Sequence, residues 1–174
     1  MIDHIPHRKD DTETEEIQSV QQQLHYTRAI LEERITTGAN WFFVISALSV
    51  INSLIILTGS KYGYVVGLGF NIIIDRFASP RGTGGRVAGF LLSLIVAGLL
   101  ALFGIMARKQ KQAGFAAGIA IYIIDTVIVI ALMMLVDFYL VFLALIHITL
   151  LFFIFKGMKA LTAYRQIGRK GFFN

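Results

Sequence analysis

The hydrophobic residues of this chain fall into long runs that are separated by short polar stretches. Apolar runs cover 39–57, 87–106, 114–135 and 138–155, and mostly polar residues precede the first of them. Each run is close to the ~20 residues that an α-helix needs to cross a hydrocarbon core ~30 Å thick. The pattern therefore predicts four full transmembrane helices.

A further apolar segment, Tyr64–Ala78, is shorter and one-sided. It has 15 residues, and a residue that is small or polar recurs at every fourth position: Gly67, Asn71, Asp75 and Ser79. Such spacing places these residues on one face of a helix. Two interpretations stay open, a fifth spanning helix and a short amphipathic or re-entrant helix that does not cross. The predicted fold class is an all-α integral membrane helical bundle.

The polar region before the first run has a helical pattern of its own. Ile17, Leu24 and Leu31 recur every seven residues among Glu, Gln and Arg, which predicts an amphipathic helix that ends near Gly38. This helix either docks on a partner or another copy, or lies against the membrane or its own bundle. The predicted organisation is an N-terminal polar tail and amphipathic helix (1–38), a transmembrane bundle (39–157) and a basic C-terminal tail (158–174).

Composition supports a membrane protein. Of the 174 residues, 56% are hydrophobic and 16% are charged, whereas a soluble domain has roughly 25% charged residues. The net charge is +5, but the positive residues adjoin apolar segments, where they indicate topology and headgroup contacts rather than nucleic-acid binding. The chain has no Cys, which excludes disulfides and thiol chemistry.

Positive residues near the ends of the spans predict the orientation. If Tyr64–Ala78 does not cross, ten Lys and Arg residues share the side of both termini and four lie opposite, whereas a fifth span gives nine against five. The four-span topology fits the positive-inside rule slightly better, and both versions place the C-terminus in the cytoplasm. We therefore expect a multi-pass membrane protein with a cytoplasmic C-terminus.

Five strongly polar residues interrupt the apolar segments. A carboxylate at the bilayer centre costs roughly 2.5–3.5 kcal/mol, so such residues are expected to face the bundle interior. The predicted polar intramembrane cluster consists of Asn52, Asn71, Asp75, Asp125 and His147. Because Asp125 and His147 have similar depth on consecutive antiparallel helices, a hydrogen bond between them is expected.

Small residues recur every fourth position and predict close helix contacts. Seams of this kind let neighbouring backbones approach in membranes. A polar strip on the first span, formed by Ser46, Ser49, Asn52 and Ser53, also indicates a side that faces protein. The predicted helix-packing residues are Gly67, Gly89, Ser93, Gly114 and Gly118.

Several short sequence motifs resemble those of a family of small, uncharacterised bacterial multi-spanning membrane proteins. They lie between Gly38 and Gly157 and are Gly38-Ala-Asn-Trp-Phe, Leu48-Ser-Val-Ile-Asn-Ser, Gly67-Leu-Gly-Phe-Asn-Ile-Ile-Ile-Asp75, Tyr122-Ile-Ile-Asp125 and Ile146-His147. The resemblance implies a bacterial origin and a recurrent architecture, and no reaction.

Three kinds of function remain open for the polar cluster. The first is a structural network that fixes helix packing. The second is a proton or ion site in a small transporter that uses Asp125 and His147. The third is a site at which His147 ligates a cofactor. An enzyme or metal site is not expected, because the membrane segments hold one His and no nucleophile motif. We expect an accessory or assembly subunit of a larger membrane complex, without a cofactor, that contacts lipid and other subunits or itself.

Overall fold

The computed structural model describes residues 8–59, 68–135 and 138–170, and these are helical almost throughout. The helices are α1 (Arg8–Leu57), α2 (Gly69–Ala78), α3 (Gly82–Arg108), α4 (Gln112–Leu135) and α5 (Val141–Lys170). Four stretches are long and apolar enough to span a membrane: Glu13–Leu57, Gly69–Arg108, Gln112–Leu135 and Val141–Arg169. The prediction of an all-α protein with four helices able to span a membrane is confirmed, and a fifth such helix is not found in the described ranges.

The four long helices form a bundle with an apolar interior and an apolar surface. α1 packs on α3 and α5, and α4 packs on the same two helices from the other side. Fully buried side chains form the core: Phe42, Leu100, Phe115, Tyr122 and Ile154. Large apolar side chains also cover the outside, among them Leu91, Ile95, Ile124 and Phe152. Only a hydrocarbon surrounding makes such a surface favourable.

α1 is a single helix of 50 residues, which corresponds to a length of ~75 Å. The prediction that a helix ends at Gly38 is therefore wrong. The glycine serves a helix crossing instead, because a Cβ built on Gly38 would lie 2.6 Å from the Cα of Gly157 on α5. A helical glycine costs about 1 kcal/mol relative to alanine, and the close backbone contact offsets this cost.

α5 likewise continues past Gly157 and ends at Lys170, so residues 158–170 extend the bundle as helix. Leu161 is fully buried in the same core cluster as Ile35 of α1. Tyr164 Oη donates a hydrogen bond of 2.7 Å to Glu32 Oε1. The C-terminal part of α5 thus packs on α1, near the point where α1 joins the bundle.

α2 begins inside the bundle and ends beside the start of α3. Leu68, which precedes it, is 1% exposed, and Gly69 lies against Asp125 and Val129 of α4. A turn at Ser79–Arg81 then leads into α3. Ten residues correspond to ~15 Å, about half of a hydrocarbon core. The described part of the segment 64–78 therefore does not traverse the bundle, and Gly67 lies outside the described residues.

Candidate functional site

Asp125 and His147 form a buried pair between α4 and α5. His147 Nε2 lies 3.0 Å from Asp125 Oδ2, and the residues are 2% and 0% exposed. The two helices run antiparallel on either side of a short turn at Phe138–Leu140, which places the second half of α4 opposite the first half of α5. The hydrogen bond that the sequence led us to expect is present.

The hydrogen bonds of His147 fix how many protons the pair holds. Its Nδ1 lies 2.8 Å from the carbonyl oxygen of Leu143. A carbonyl only accepts hydrogen bonds, so Nδ1 carries a proton. The bond between Nε2 and Asp125 Oδ2 then contains one further proton, which belongs to either partner. The pair is neutral overall in both arrangements, as a carboxylic acid with imidazole or a carboxylate with imidazolium.

The first turn of α2 supplies the remaining partner of Asp125. The backbone N–H of Phe70 donates a hydrogen bond of 2.9 Å to Asp125 Oδ1. The N–H groups in the first turn of a helix have no acceptor within the helix, so this N–H is available to the Asp125 side chain. The approach needs a glycine next to Phe70, because a Cβ on Gly69 would lie 2.9 Å from the carbonyl oxygen of Asp125.

Tyr122 stacks on one face of the His147 imidazole ring. Its ring stacks on His147 with a centroid distance of 5.3 Å and an interplanar angle of 11°. The Tyr122 hydroxyl is buried and has no hydrogen-bond partner within the described ranges. A cavity of about 10 Å³ adjoins both rings, lined by Ile45, Leu48, Leu143, Ile146 and Leu150. This is about the space that one water molecule needs.

A second group of buried polar residues lies where α1, α2 and α3 meet. Asn71 Nδ2 of α2 donates to Ser53 Oγ at 3.1 Å and to the carbonyl oxygen of Ser49 at 3.3 Å, both on α1. Asp75 follows one turn later on α2 and is 3% exposed. On α3, Ser93 is 1% exposed. Asn52 is also buried, and the described residues offer its side chain no hydrogen bond.

Four atoms in this second group have no hydrogen-bond partner among the described residues. They are Ser49 Oγ, Asn71 Oδ1, Asp75 Oδ2 and Ser93 Oγ, and we call these four residues the oxygen cluster. All four atoms are oxygens, and one belongs to a carboxylate. Leaving a polar group of this kind buried and unsatisfied costs about 1–3 kcal/mol. The oxygen cluster is therefore an arrangement that needs a partner.

The five predicted polar residues are thus all buried but form two groups. Asp125 and His147 belong to one, Asn71 and Asp75 to the other, and α2 contacts both. Asn52 of α1 is buried but makes no hydrogen bond with a described residue of either group. The predicted polar cluster did not include Tyr122, although this residue precedes Asp125 by three positions and so shares its helix face. It also missed the Phe70 N–H, because backbone donors leave no signal in the sequence.

Four of the five predicted packing residues are buried in the bundle, and the fifth, Gly67, lies outside the described residues. A Cβ on Gly89 would be 2.8 Å from Ala78 Cβ, and one on Gly114 would be 2.5 Å from Met106 Cβ. A Cβ on Gly118 would be 2.5 Å from the ring of Phe42. Ser93 is buried on α3, one turn after Gly89. These positions bring α3 against α2 and α4, and α4 against α1.

The two groups differ from a transition-metal site. Among the described residues, no three His, Cys, Asp or Glu side chains come together in a way that would hold such an ion. Zinc and related metals require imidazole, thiolate or carboxylate ligands in that number. The buried chemistry that remains is a shared proton at Asp125–His147 and a set of oxygens beside α2.

Comparison with known proteins finds no match for this chain. No protein-family model, no curated protein and no solved structure matches the chain. The resemblance to small bacterial membrane proteins therefore stays a prediction. The chain is a multi-pass membrane protein with four spanning helices and two buried polar groups.

Proposed function

We propose that the protein is an accessory or assembly subunit of a larger complex in a bacterial inner membrane. The observation that carries this proposal is the part of α1 that precedes the bundle. Packing of α1 against the core begins at Leu31 and Ile35, so residues 8–30 extend the helix by ~35 Å. A helix of this length outside the bundle offers a surface to another subunit.

One side of this extension is apolar and uncovered by any described residue. Ile17, Val20 and Leu24 are 59%, 54% and 42% exposed. Their spacing of three and four residues forms a stripe on one helix face. A stripe of this type buries itself in a groove or against a second helix when helices associate. The flanking Glu and Gln residues keep the extension soluble until it does so.

The test is co-purification from the native membrane in mild detergent, followed by mass spectrometry. Leu24→Glu places a charge on the stripe, and Gln22→Glu places the same charge on the opposite face as a matched control. We expect Leu24→Glu to lose at least tenfold of the partner signal relative to Gln22→Glu. Equal recovery of the same partners by both variants would contradict the proposal. Light scattering on the purified protein separates a second copy from a different subunit.

The orientation in the membrane is part of this proposal. With four spanning helices both ends of the chain lie on one side, and the positive residues Arg108, Lys156, Lys159 and Arg165 lie there too. The positive-inside rule makes that side cytoplasmic, and α2 is then a re-entrant helix from the opposite side. A cytoplasmic reporter should be active when fused before Met1 or after Asn174. An external N-terminus would exclude this topology.

A second candidate function is a small proton- or ion-coupled transporter, and the Asp125–His147 pair favours it. One proton is shared between two titratable groups at the centre of the bundle, and the N-terminus of a half-length helix points at the carboxylate. Broken helices whose ends face the site are a recurrent feature of secondary transporters. Release and uptake of the shared proton is the chemistry that such a site supplies.

Proteoliposomes with an internal pH-sensitive dye test this second candidate. Asp125→Asn preserves the shape of the site, because the amide nitrogen donates to His147 Nε2 and its oxygen accepts from Phe70, but an amide does not exchange a proton in this way. We expect Asp125→Asn to abolish proton flux. Thr149→Val is the control, since Thr149 is exposed and bonds only to Leu145 of its own helix. No flux in the wild-type protein would exclude the transporter and leave the assembly role.

A further inference from the structure

We infer that the oxygen cluster is a binding site for a single alkali-metal cation. Its four residues, Ser49, Asn71, Asp75 and Ser93, are each at least nine-tenths buried. Each contributes one oxygen that no described residue satisfies. The inference does not depend on the proposed assembly role, and it concerns residues separate from the Asp125–His147 pair.

The helix register brings Ser49, Asn71 and Ser93 to similar depths in the bundle, with Asp75 one turn away on α2. The two hydrogen bonds from Asn71 Nδ2 to Ser49 and Ser53 fix α2 against α1. α2 and α3 form an antiparallel hairpin in which a Cβ on Gly89 would lie 3.6 Å from Asp75 Oδ1. Ser93 is one turn deeper than Gly89 on the same face, so it lies at the level of Asn71, one turn deeper than Asp75.

The contact between α1 and α3 gives the same register independently. Ser46 Oγ donates a hydrogen bond of 2.8 Å to the carbonyl oxygen of Ala97. Ser93 is one turn before Ala97, and Ser49 is about one turn after Ser46. Since the two helices run in opposite directions, Ser49 and Ser93 lie side by side. The register therefore places one oxygen-bearing residue from each of three helices at this depth.

The charge of the oxygen cluster selects a monovalent ion. Asp75 is its one acidic residue, and it has no ion pair with any described side chain. The adjacent Arg76 is exposed on the other side of α2. An isolated carboxyl group in a dry interior is stable either as the neutral acid or beside a cation that balances its charge. One monovalent cation beside Asp75 makes the oxygen cluster neutral, as the shared proton does for Asp125 and His147.

The donor atoms select a hard cation. A carboxylate, an amide oxygen and two hydroxyl oxygens suit ions that prefer oxygen, whereas zinc prefers nitrogen and sulfur. Calcium is held by several carboxylates in most protein sites, and the oxygen cluster has one. Asp75 also lies in the last turn of α2, where the helix dipole is negative and favours a cation. These features together indicate sodium or potassium.

Thermal unfolding in detergent tests the site without any assumption about transport. The wild-type protein is heated in sodium, potassium or choline chloride at equal ionic strength and pH, choline being too large for the oxygen cluster. Ligand that binds only the folded state raises Tm in a saturable manner. We expect Tm to rise by about 5 °C between choline and a saturating concentration of the preferred alkali ion. Identical Tm values in all three salts would overturn the inference.

Variants then locate the site. Asp75→Asn keeps the size of the side chain, and we expect it to lose the alkali-ion response. Asp125→Asn changes the other buried carboxylate and should keep the response in full. Ser93→Ala removes one neutral oxygen, and we expect it to raise the ion concentration at half-maximal stabilisation about tenfold while the protein stays folded. If Asp75→Asn does not fold, Ser93→Ala decides alone. An unchanged midpoint in that variant would also overturn the inference.

Discussion

The two polar groups inside this bundle show two ways to keep charge in a membrane. At Asp125 and His147 the protein supplies every partner: the imidazole, a backbone N–H of α2 and a carbonyl of α5 account for both carboxylate oxygens and both ring nitrogens. In the oxygen cluster, four buried oxygens have no partner in the described chain. A network in which every polar atom has a hydrogen-bond partner stabilises one packing of the helices. A network with unpaired atoms can be completed by a bound ligand.

The difference follows from the helices that build each group. α4 and α5 are long antiparallel neighbours, so two side chains at equal depth meet directly. The oxygen cluster depends on α2, which is ten residues long and brings Asn71 and Asp75 to two helices that offer only serines. Substitutions that remove one partner should therefore cost more at Asp125 than in the oxygen cluster, and the following four measurements test this.

The largest effect is expected for Asp125→Leu. It leaves His147 Nε2 and the Phe70 N–H unpaired in the interior, and removing one member of a buried pair costs about 3–5 kcal/mol. Unfolding in detergent with increasing denaturant gives the free energy of unfolding. Asp125→Asn is the control and should lose less than about 1 kcal/mol, since its amide satisfies both neighbours. Similar losses in the two variants would mean that the pairing contributes little.

Gly69→Ala is expected to have the next largest effect. The added Cβ would lie 2.7 Å from a methyl carbon of Val129 and 2.9 Å from the Asp125 carbonyl oxygen. Relief of this overlap moves α2 away from α4 and lengthens the Phe70 hydrogen bond, at about 1–3 kcal/mol. Gly98→Ala is the matched control, because nothing lies within 4 Å of its Cβ. The free energies of unfolding of the two variants should differ by that amount.

Asn71→Leu should have a smaller effect on the oxygen-cluster side. It removes the donor that joins α2 to Ser49 and Ser53 of α1. Hydrogen bonds between helices in membranes contribute about 0.6 kcal/mol on average, so two of them give a loss of about 1 kcal/mol. Denaturant unfolding in choline chloride measures this without the alkali ion. A loss as large as that of Asp125→Leu would contradict the distinction between the two groups.

Ser93→Ala should have the smallest effect in choline chloride. The hydroxyl of Ser93 has no hydrogen-bond partner among the described residues, so its removal takes away a desolvated group and no interaction. We expect the free energy of unfolding to change by less than about 0.5 kcal/mol, or to rise slightly. Ser46→Ala is the comparison, since it removes a hydrogen bond to Ala97. A larger loss for Ser93→Ala than for Ser46→Ala would show that Ser93 is satisfied.

The sequence predicted those parts of the fold that depend on hydrophobic length and helix depth. Four spans follow from four apolar runs, and the contact of Asp125 with His147 follows from their similar depth on consecutive antiparallel helices. The burial of Asn71 and Asp75 follows from the cost of polar groups in hydrocarbon. These inferences need only local pattern and the thickness of a membrane.

The sequence did not predict features that depend on how helices cross. Gly38 fits the pattern of a helix end, and only the position of Gly157 on another helix shows that it serves a close crossing. In the same way, the division of the polar residues into two groups depends on where α2 begins. Asn71 and Phe70 are neighbours in sequence, yet one faces α1 and the other bonds to α4.

The unbroken length of α1 makes it a mechanical lever. The helix begins 30 residues before Gly38, so its arm outside the crossing is ~45 Å long. A tilt of ~5° about the contact with Gly157 moves the tip of the arm by ~4 Å, whereas Ser49, ~16 Å beyond Gly38, moves by little more than 1 Å. A rearrangement small enough to keep the interior packed is thus amplified at the surface where a second subunit would bind.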